Sequence, residues 1–479
     1  MIFHFNSKNT ARPLGIIYFV GIGGIGMSAI AEVMQDWGYQ VAGSDSGENA
    51  NVRRLREKNI MVHLGHDAKN IANIDTMVVS TAIKKDNPEY MAAQNRGIPI
   101  VHRADMLATL MRAKKSVAVS GTHGKTTTTS LIAHIFISSG LDPVVISGGI
   151  INNYQSNAKL GRGDWLIAEA DESDGSFLLL PAAVAVVTNI DPEHLDHYGD
   201  FEKIKTAFYD FIRRVPVDGF AVAGIDHPVV AELIKKISER KIITYGLSPD
   251  AMVRIQNTKF DKHGAVFDLL MADGVQTSIR LPLFGHHNVS NATAAIAVAR
   301  AADIPMANIR TALQSFQGVR RRFTLTGTVD GKDKKNISVI DDYAHHPAEI
   351  DAVLEAARLT LNMQDNQSGR LVVVMEPHRY SRLRDLMDGF CRSLLASDVV
   401  LVADVYQAGE EPIAGVSGDD LLAAIKKAGH PAAEKLLSPE KLASQLAKIL
   451  QPNDMVLCVG AGHASKWANR LPAELEKLL

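Results

Sequence analysis

The chain has 479 residues, 46% of them hydrophobic and 22% charged, and its formal net charge is -2. This length predicts about three domains, and the near-neutral charge does not favour binding to nucleic acid or to an anionic membrane. Two cysteines far apart, the absence of a basic and apolar leader in residues 1–15, and the absence of an apolar run of about 20 residues predict a cytoplasmic protein with free thiols.

Apolar runs alternate with helical patterns through the first half of the chain, which predicts parallel sheets covered by helices on both faces. The predicted strands lie near residues 16–20, 40–43, 77–81, 98–102, 117–120, 144–147, 165–168, 183–189 and 220–223. Residues 252–283 instead alternate in polarity and carry turn signals at 262–264 and 272–274. This segment is predicted to be a small antiparallel insert.

The second half continues with two predicted helices, at 288–302 and up to 317, and a polar strand-turn-strand around a turn at 331–335. The βα pattern then resumes, with strands predicted at 338–340, 371–375, 399–403 and 455–459. We predict an α/β fold with domains at residues 1–113, 114–322 and 323–479.

A glycine-rich turn follows the first predicted strand. Its pattern, G-x-G-x-x-G, comprises Gly21, Gly23 and Gly26, and Ser44 and Asp45 close the second strand. Such a turn cradles the pyrophosphate of a dinucleotide, and it serves the pyrophosphate of a nucleotide sugar equally well. His66 and Ser80 are expected near the same sheet edge, either as ligand contacts or as ordinary loop residues.

A second glycine loop follows the strand at 117–119 and ends in Gly124, Lys125 and Thr126 before a helix predicted at 127–139. It is a shortened variant of the phosphate-binding loop, because the position five before Gly124 is a valine. Backbone N–H groups would approach phosphate oxygens, Lys125 would reach the outer phosphates, and Thr126 would ligate Mg²⁺. The loop therefore predicts a nucleoside triphosphate site.

Candidate metal ligands end two neighbouring predicted strands. Glu169 follows the strand at 165–168, and His194 follows the strand at 183–189. Because ligands of open α/β sheets collect at the carboxyl ends of strands, these side chains would help Thr126 to hold Mg²⁺. Asp171, Glu172 and Asp174 are alternatives to Glu169 in the same acidic loop.

Several later motifs allow either a binding role or a structural one. Asn288 and Asn291 share one helix face and could pair with an adenine edge, although a helix cap explains Asn288 nearly as well. The basic run 320–322 could supply a cation to a transferring phosphoryl group or be a solvated surface run. Polar clusters at 341–347 and 376–382 end strands and suit a second substrate site or ordinary loops.

Taken in order, these motifs resemble those of the Mur ligase family of peptidoglycan synthesis. The motifs are GIGGIGMS, GTHGKTTT, EADESD, DPEHLDHY, GHHNVSNA, GVRRRF, DDYAHHP and PHRYSR. The resemblance implies an N-terminal Rossmann-like domain for a UDP-sugar, a central ATP-binding domain and a C-terminal Rossmann-like domain that receives an amino acid. It further implies that L-alanine is joined to UDP-N-acetylmuramate at the expense of ATP with Mg²⁺.

The resemblance also implies roles for matching positions. The UDP-sugar site would comprise Gly21, Gly23, Gly24, Gly26, Ser44, Asp45, His66, Ser80, Arg103 and His123. The ATP site would comprise Gly121, Thr122, His123, Gly124, Lys125, Thr126, Thr127, Asn288, Asn291, Arg322 and Asp342, and the metal site Thr126, Glu169 and His194. The catalytic residues would be Lys125, Arg322, His345, His346 and Arg379, the last three near the acceptor and the muramoyl carboxylate.

Other interpretations remain open at this point. The acceptor could be a tripeptide in place of alanine, and a monomer or a homodimer is expected. Gly21 to Gly26 with Asp45 would also suit a nicotinamide-dependent oxidoreductase, and a nucleotide-gated binding protein would bind ATP without turnover. Lys205 matches the carbamylated lysine of some relatives only if a short deletion after His194 is allowed.

Overall fold

Three sheets with helices packed on them form an α/β protein of three domains, as predicted. This architecture comes from a computed structural model that describes residues 15–272, 274–331, 336–363 and 369–479. Residues 1–14, and parts of the turns predicted at 272–274 and 331–335, lie outside the described residues. Both cysteines are free and buried, which confirms that prediction.

The N-terminal domain contains a five-stranded parallel sheet in the order β3-β2-β1-β4-β5. Strand β1 is the middle strand and is almost fully buried, which explains its continuous apolar sequence IIYFV. The elements are β1 Ile16–Val20, α1 Ile25–Asp36, β2 Gln40–Asp45, α2 Ala50–Glu57, β3 Met61–Leu64, β4 Thr76–Val79, α3 Pro88–Asn95, β5 Ile100–His102 and α4 Arg103–Arg112.

The central domain begins with the following strands and helices. They are β6 Lys115–Ser120, α5 Lys125–Ser138, β7 Val144–Ile151, β8 Ser156–Lys159, β9 Trp165–Glu169, β10 Val184–Val187, α6 Leu195–Tyr198, α7 Phe201–Arg213, β11 Phe220–Gly224, α8 Pro228–Ile234 and β12 Ile242–Gly246. It continues with β13 Val253–Asp261, β14 Gly264–Met271, β15 Gln276–Leu281, α9 His286–Ala301 and α10 Met306–Gln314.

Strand β6 lies inside this ten-stranded sheet, whose order is β15-β14-β13-β12-β11-β10-β6-β9-β7-β8. It pairs in parallel with β10 on one side and β9 on the other. The loops after these three strands therefore leave the sheet at the same edge. The strands predicted as an insert, β13 to β15, are consecutive neighbours at one end of this same sheet.

The C-terminal domain contains a six-stranded sheet in the order β16-β17-β21-β18-β19-β20. Only β16 runs antiparallel to its neighbour. The elements are β16 Thr324–Val329, β17 Ile337–Asp342, α11 Pro347–Asn362, β18 Leu371–Met375, α12 Tyr380–Leu394, β19 Val399–Val402, α13 Gly418–Lys427, β20 Ala433–Lys435, α14 Leu442–Ile449, β21 Met455–Val459 and α15 Ala464–Glu476.

By packing, the chain divides into two compact units. The first contains the chain up to Asn257 together with Phe267–Ile279 and Ser290–Gln317, and the second contains Thr258–Val266, Arg280–Val289 and Gly318–Leu479. The boundaries at residues 113 and 322 stay predictions. Among the helices that the structure describes, none has both the length and the apolar composition that crossing a membrane requires.

Candidate active site

The glycine turn after β1 is tied to the end of β2 by hydrogen bonds. The N–H groups of Gly21 and Ile22 donate to the carbonyl oxygen of Ser44 over 2.8 and 2.9 Å. The Gly23 N–H donates to Asp45 Oδ2 over 2.8 Å, and a Cβ at Gly23 would lie 2.8 Å from that same oxygen. Glycine is therefore needed where the loop passes Asp45.

The structure brings most of the residues predicted for the UDP-sugar around this turn. His66 Nδ1 lies 3.0 Å from Ser44 Oγ, and Ser80 directly follows β4, the strand beside β1. Arg103, the first residue of α4, packs close to Gly26: a Cβ added at Gly26 would lie 2.9 Å from Arg103 Nη1. It also donates to Asp171 Oδ2 over 2.8 Å and so joins this turn to the acidic loop after β9.

The second glycine loop follows β6 and places Lys125 at the first residue of α5. Lys125 Nζ donates to the carbonyl oxygens of Gly121 and Thr122 over 2.6 and 3.0 Å, and to Glu172 Oε1 over 2.8 Å. Burial lowers the pKa of Lys125, but Glu172 and nearby carboxylates outweigh that effect and raise it. The ammonium group therefore stays charged in a partly buried position, which is compatible with the predicted binding of phosphate.

Residues after β10 brace this loop from the side. Thr188 Oγ1 donates to the His123 carbonyl oxygen over 2.6 Å, and the His123 N–H donates to Asn189 Oδ1 over 2.7 Å. Gly121 and Gly124 both have positive φ, at 133° and 81°. These angles lie in the region that favours glycine and let the backbone turn sharply on both sides of His123.

Gly121→Ala is expected to destabilise the loop. A Cβ there would lie 2.0 Å from Thr188 Oγ1, and φ is unfavourable for alanine. The free energy of unfolding should fall by about 2 kcal/mol or more, as measured by urea denaturation. Gly140→Ala is the matched control, because Gly140 also has positive φ but a Cβ there would meet no atom within 4 Å. Equal losses in the two variants would contradict the packing argument.

Glu169 ends β9 beside Thr126. It accepts the Gly148 N–H over 2.9 Å and a hydrogen bond from the Thr126 side chain. Burial raises its pKa, which Lys125 and the hydrogen bonds partly offset. A carboxylate and a hydroxyl in contact at a phosphate loop are a donor pair that suits Mg²⁺.

His194 approaches Glu172, the same carboxylate that accepts a hydrogen bond from Lys125. It has a left-handed backbone, with φ of 58°, and its Nε2 lies 3.6 Å from Glu172 Oε1. Burial lowers the pKa of His194, but Glu172 and Glu193 raise it overall. Within the part of the chain that the structure describes, no three His, Cys, Asp or Glu side chains form a ready metal cluster. Assignment of Mg²⁺ to Thr126, Glu169 and His194 stays a prediction.

Sequence reasoning missed a carboxylate that joins two histidines beside the phosphate loop. Asp191 lies 3.3 Å from His123 Nε2 and 3.2 Å from His227 Nε2. Burial raises its pKa, but hydrogen bonds and charge from both histidines lower it overall. His227 carries no motif signal beyond its place before Pro228 at the start of α8.

The predicted adenine contacts both lie on α9. Asn288 Nδ2 donates to the Phe284 carbonyl oxygen over 2.8 Å, which is a helix-start contact. Asn291 Oδ1 accepts from Thr128 Oγ1 over 3.2 Å and lies 2.5 Å from the position of a Cβ at Gly124. Asn291 therefore packs on the phosphate loop, whereas the role of each amide toward adenine stays a prediction.

In the C-terminal domain, Arg322 and His345 share one carboxylate. Arg322 Nη1 lies 3.7 Å from Glu349 Oε1, and His345 Nδ1 lies 3.3 Å from Glu349 Oε2. Arg322 stands between Arg321 and Phe323, which both have positive φ. Such strain in non-glycine residues often accompanies function. The signal for Glu349 was its place four residues after His345, one helical turn away.

Backbone groups contact the other predicted residues of this domain. His346 Nδ1 accepts the Ala348 N–H and caps α11, and the Arg379 N–H donates to the Tyr406 carbonyl oxygen. Asp342 accepts the N–H groups of Phe323 and Ala344, each over 2.7 Å. Their roles toward substrates stay predictions.

Asp342 is expected to make stability depend on pH. Burial raises its pKa from 3.8 to about 6, although Arg322 and the two N–H groups act against this. The folded state therefore binds the proton more tightly, so this contribution is complete below about pH 4 and is lost as pH rises through about 6. The difference in unfolding free energy between the native chain and Asp342→Asn should shift by roughly 2 kcal/mol across that window in urea denaturation. A difference independent of pH would contradict the shift.

Aromatic rings lie in a row along the carboxyl edge of the C-terminal sheet. Sequence reasoning included His378 in the cluster at 376–382 but missed its partners. His378 stacks on Tyr406 with centroids 5.3 Å apart, and Tyr406 meets the edge of His463 at 4.9 Å. Tyr406 and His463 line a cavity of about 510 Å³ together with Glu376, Asp404 and Trp467. The motif AGHAS after β21, which holds His463, was the available signal.

Three family models match successive parts of the chain. The model described as "Mur ligase family, catalytic domain" matches residues 16–115, "Mur ligase middle domain" matches 119–299, and "Mur ligase, glutamate ligase domain" matches 321–462. The chain belongs to the Mur ligase family. It is therefore an enzyme of the ligase class, and the oxidoreductase interpretation of the first glycine turn is not supported.

Known proteins are similar to this chain over nearly its whole length. A UDP-N-acetylmuramate--L-alanine ligase of Chelativorans sp. (strain BNC1) is 52% identical over 470 residues, covering 97% of this chain and 99% of the relative. The crystal structure of the UDP-N-acetylmuramate-alanine ligase of Thermotoga maritima is 29% identical, with a TM-score of 0.80 and coverage of 97% and 99%. A murein peptide ligase of Psychrobacter arcticus is 22% identical with a TM-score of 0.71 and coverage of 97% and 99%, which shows the common fold alone.

Proposed function

We propose that this Mur ligase joins L-alanine to the lactyl carboxylate of UDP-N-acetylmuramate in an ATP-dependent reaction of peptidoglycan precursor synthesis. The observation that carries the proposal is the partly buried Lys125 ammonium in a glycine loop, with Glu169 and Thr126 in contact beside it. The relatives that are 52% identical over almost the full chain support alanine as the acceptor.

The chemistry requires activation of a carboxylate, because a carboxylate is a poor acyl donor at neutral pH. Transfer of the γ-phosphoryl group of ATP to the lactyl carboxylate gives an acyl phosphate and ADP. The amine of alanine then attacks the acyl carbon, and the tetrahedral intermediate collapses to the amide with release of phosphate. Phosphoryl transfer leaves little covalent work to side chains, so the protein acts by positioning and charge.

Lys125 is well placed to neutralise phosphate charge. Its ammonium already contacts two loop carbonyl oxygens and Glu172, so a triphosphate in the cradle would exchange some of these contacts for phosphate oxygens. Backbone N–H groups at the start of α5 add positive potential along the same direction.

The residues present are compatible with Mg²⁺. Thr126 and Glu169 offer oxygen donors, and Glu172 Oε2 is a buried oxygen without a hydrogen-bond partner among the described residues. When bound, the ion would draw charge from the phosphate oxygens and favour transfer. Thr126 and Glu169 would hold it, with His194 as a further candidate.

A phosphate-release assay tests the proposal. Phosphate should appear only when ATP, UDP-N-acetylmuramate and an amino acid are all present, with omission of each in turn as the control. ATP turnover that does not require both the UDP-sugar and an amino acid would reject the ligase reaction. ATP binding without turnover under all conditions would point to a binding protein.

A competition assay decides the acceptor. L-Alanine, glycine, L-serine and a murein tripeptide would be compared at equal concentrations by mass spectrometry of the UDP-linked product. We expect the alanine product to dominate. A dominant tripeptide product would change the acceptor but leave the activation chemistry in place.

A further inference from the structure

A fully buried carboxylate lies behind the predicted UDP-sugar residues and has no role in the function proposed above. Glu89, in the first turn of α3, has a relative exposure of 0%. Its Oε1 accepts from Tyr18 Oη and Asn70 Nδ2, each over 2.8 Å. Its Oε2 accepts from Ser44 Oγ over 2.5 Å and lies 3.0 Å from His66 Nδ1.

Four polar groups converge on the two carboxylate oxygens of Glu89. The donor and acceptor capacity of each group determines where the hydrogens lie. A carboxylate has about four acceptor positions and no donor of its own. Burial raises the pKa of Tyr18, so its hydroxyl remains a donor. The Ser44 hydroxyl donates its hydrogen to Glu89, so toward His66 the Ser44 oxygen can act only as an acceptor. Glu89 Oε2, a carboxylate oxygen, can also only accept from His66.

His66 Nδ1 must therefore carry the hydrogen toward either neighbour. In a neutral imidazole one nitrogen donates and the other accepts, so Nε2 is left with a lone pair. The His66 side chain remains 21% exposed, whereas Glu89 is completely covered. The imidazole thus extends from a buried anchor toward the surface.

The same network touches the glycine turn. Ser44 donates its hydroxyl to Glu89, and its carbonyl oxygen accepts the N–H groups of Gly21 and Ile22. One residue therefore links the buried carboxylate to the loop expected to hold the pyrophosphate. His66, held by Glu89 and Ser44, therefore lies beside the loop that is expected to bind the nucleotide.

We propose that Glu89 is a positioning residue that holds His66 with its hydrogen on Nδ1, so that Nε2 accepts a hydrogen bond from the nucleotide of the UDP-sugar. The inference rests on the proposed function for the identity of the ligand. The group facing Nε2 must carry a hydrogen, which in a uridine nucleotide is either the uracil N3–H or a ribose hydroxyl.

Nuclear magnetic resonance of ¹⁵N-labelled full-length protein tests the anchor without any ligand. His66 signals would be assigned by their loss in His66→Gln. We expect a protonated Nδ1 and an unprotonated Nε2 in the neutral ring, and a shift of the proton toward Nε2 in Glu89→Ala. A native ring with its proton on Nε2 would overturn the proposal, whether or not the chain proves to be a ligase.

Binding and kinetics test the consequence. Glu89→Ala should weaken UDP-N-acetylmuramate binding about tenfold or more, while kcat at saturating substrate changes little. His66→Ala should give a similar loss, and the double variant should be no weaker than either single one, because both remove one interaction. Additive losses would overturn the proposal. Glu89→Gln, which keeps one acceptor oxygen, should be intermediate and provides a milder variant if alanine prevents folding.

Glu32 provides the matched control. It is a buried carboxylate on α1 of the same domain. It pairs with Arg54 of α2 at 2.7 Å and with Lys58, directly after α2, at 2.5 Å. Glu32→Ala should lower thermal stability but change neither the His66 tautomer nor UDP-sugar affinity. If Glu32→Ala weakens the UDP-sugar as much as Glu89→Ala does, loss of stability explains both and the positioning role fails.

Nucleotide analogues distinguish the two donors. If uracil N3–H faces Nε2, the native protein should prefer UDP over CDP, whose N3 has no hydrogen, and His66→Ala should lose that preference. If a ribose hydroxyl faces Nε2, the same loss should appear for UDP against 2′-deoxy-UDP or against 3′-deoxy-UDP, depending on which hydroxyl donates. Preferences that are unchanged by His66→Ala in all of these comparisons would overturn the acceptor role of Nε2. Failure of the native protein to bind any uridine nucleotide would instead reject the proposed function.

Discussion

Lys125→Ala is expected to reduce ATP-dependent turnover by about a thousandfold or more while leaving UDP-N-acetylmuramate binding intact. The ammonium is the only charge in the phosphate loop sequence GTHGKT apart from histidine, and it is held at the loop by Gly121, Thr122 and Glu172. Its loss removes charge stabilisation from the transferring phosphoryl group, an effect of this size in comparable sites. Phosphate release measures turnover, and calorimetry measures UDP-sugar affinity.

A surface lysine controls for the loss of positive charge. Lys236 forms an exposed pair with Glu232 over 2.8 Å on α8 and the turn after it. Lys236→Ala should retain full turnover and UDP-sugar binding. Retention of more than a tenth of native turnover in Lys125→Ala would show that the cradle does not act on ATP.

Glu169→Gln is expected to lower turnover about a hundredfold at fixed Mg²⁺ and to raise the Mg²⁺ concentration needed for half-maximal activity. The substitution keeps the shape of a side chain that contacts Thr126 and Gly148 but removes its charge. Changes around metal ligands commonly weaken metal affinity tenfold to a hundredfold, and loss of a ligand charge should reach the upper end. Titration with Mn²⁺ in the presence of ATP, followed by electron paramagnetic resonance, measures affinity separately from activity.

Asp174 is the control in the same acidic loop. It accepts the Ser176 N–H over 3.0 Å and lies 3.8 Å from His102 Nε2, so its contacts differ from those of Glu169. Asp174→Asn should leave the Mn²⁺ affinity unchanged. If it weakens Mn²⁺ as much as Glu169→Gln does, Asp174 rather than Glu169 is the ligand.

The strands inside the sheets were predictable because burial on both faces produces continuous apolar runs. Strands β1, β6, β10, β18 and β21 all satisfy this condition and were found near their predicted positions. The strands not predicted were β3, β8, β12 and β20. Three of them lie at sheet edges, where one side is partly exposed and the sequence is mixed, and β12 is only partly buried.

The site was predictable at the level of motifs but not of contacts. The glycine turns, Lys125, Thr126 and Glu169 lie at strand ends as their local sequence indicated. Their partners did not follow from spacing: Glu172 is 47 positions from Lys125, and Glu89 is 45 positions from Ser44. Lys205, the uncertain match for a carbamylated lysine, contacts Glu202 over 2.7 Å on α7, and its modification stays unassigned.

Local sequence was enough to establish where each glycine loop begins and which residues it exposes. A buried strand followed by glycines and a helix has few conformations, so the cradle before Lys125 follows from neighbouring residues. Which carboxylate reaches that lysine depends on the order β10-β6-β9, since this order sends the loops after β9 and β10 to either side of the cradle. Strand order arises from packing among distant segments, and only the folded chain reveals that Glu172, Asp191 and Glu89 support the residues whose motifs are visible in sequence.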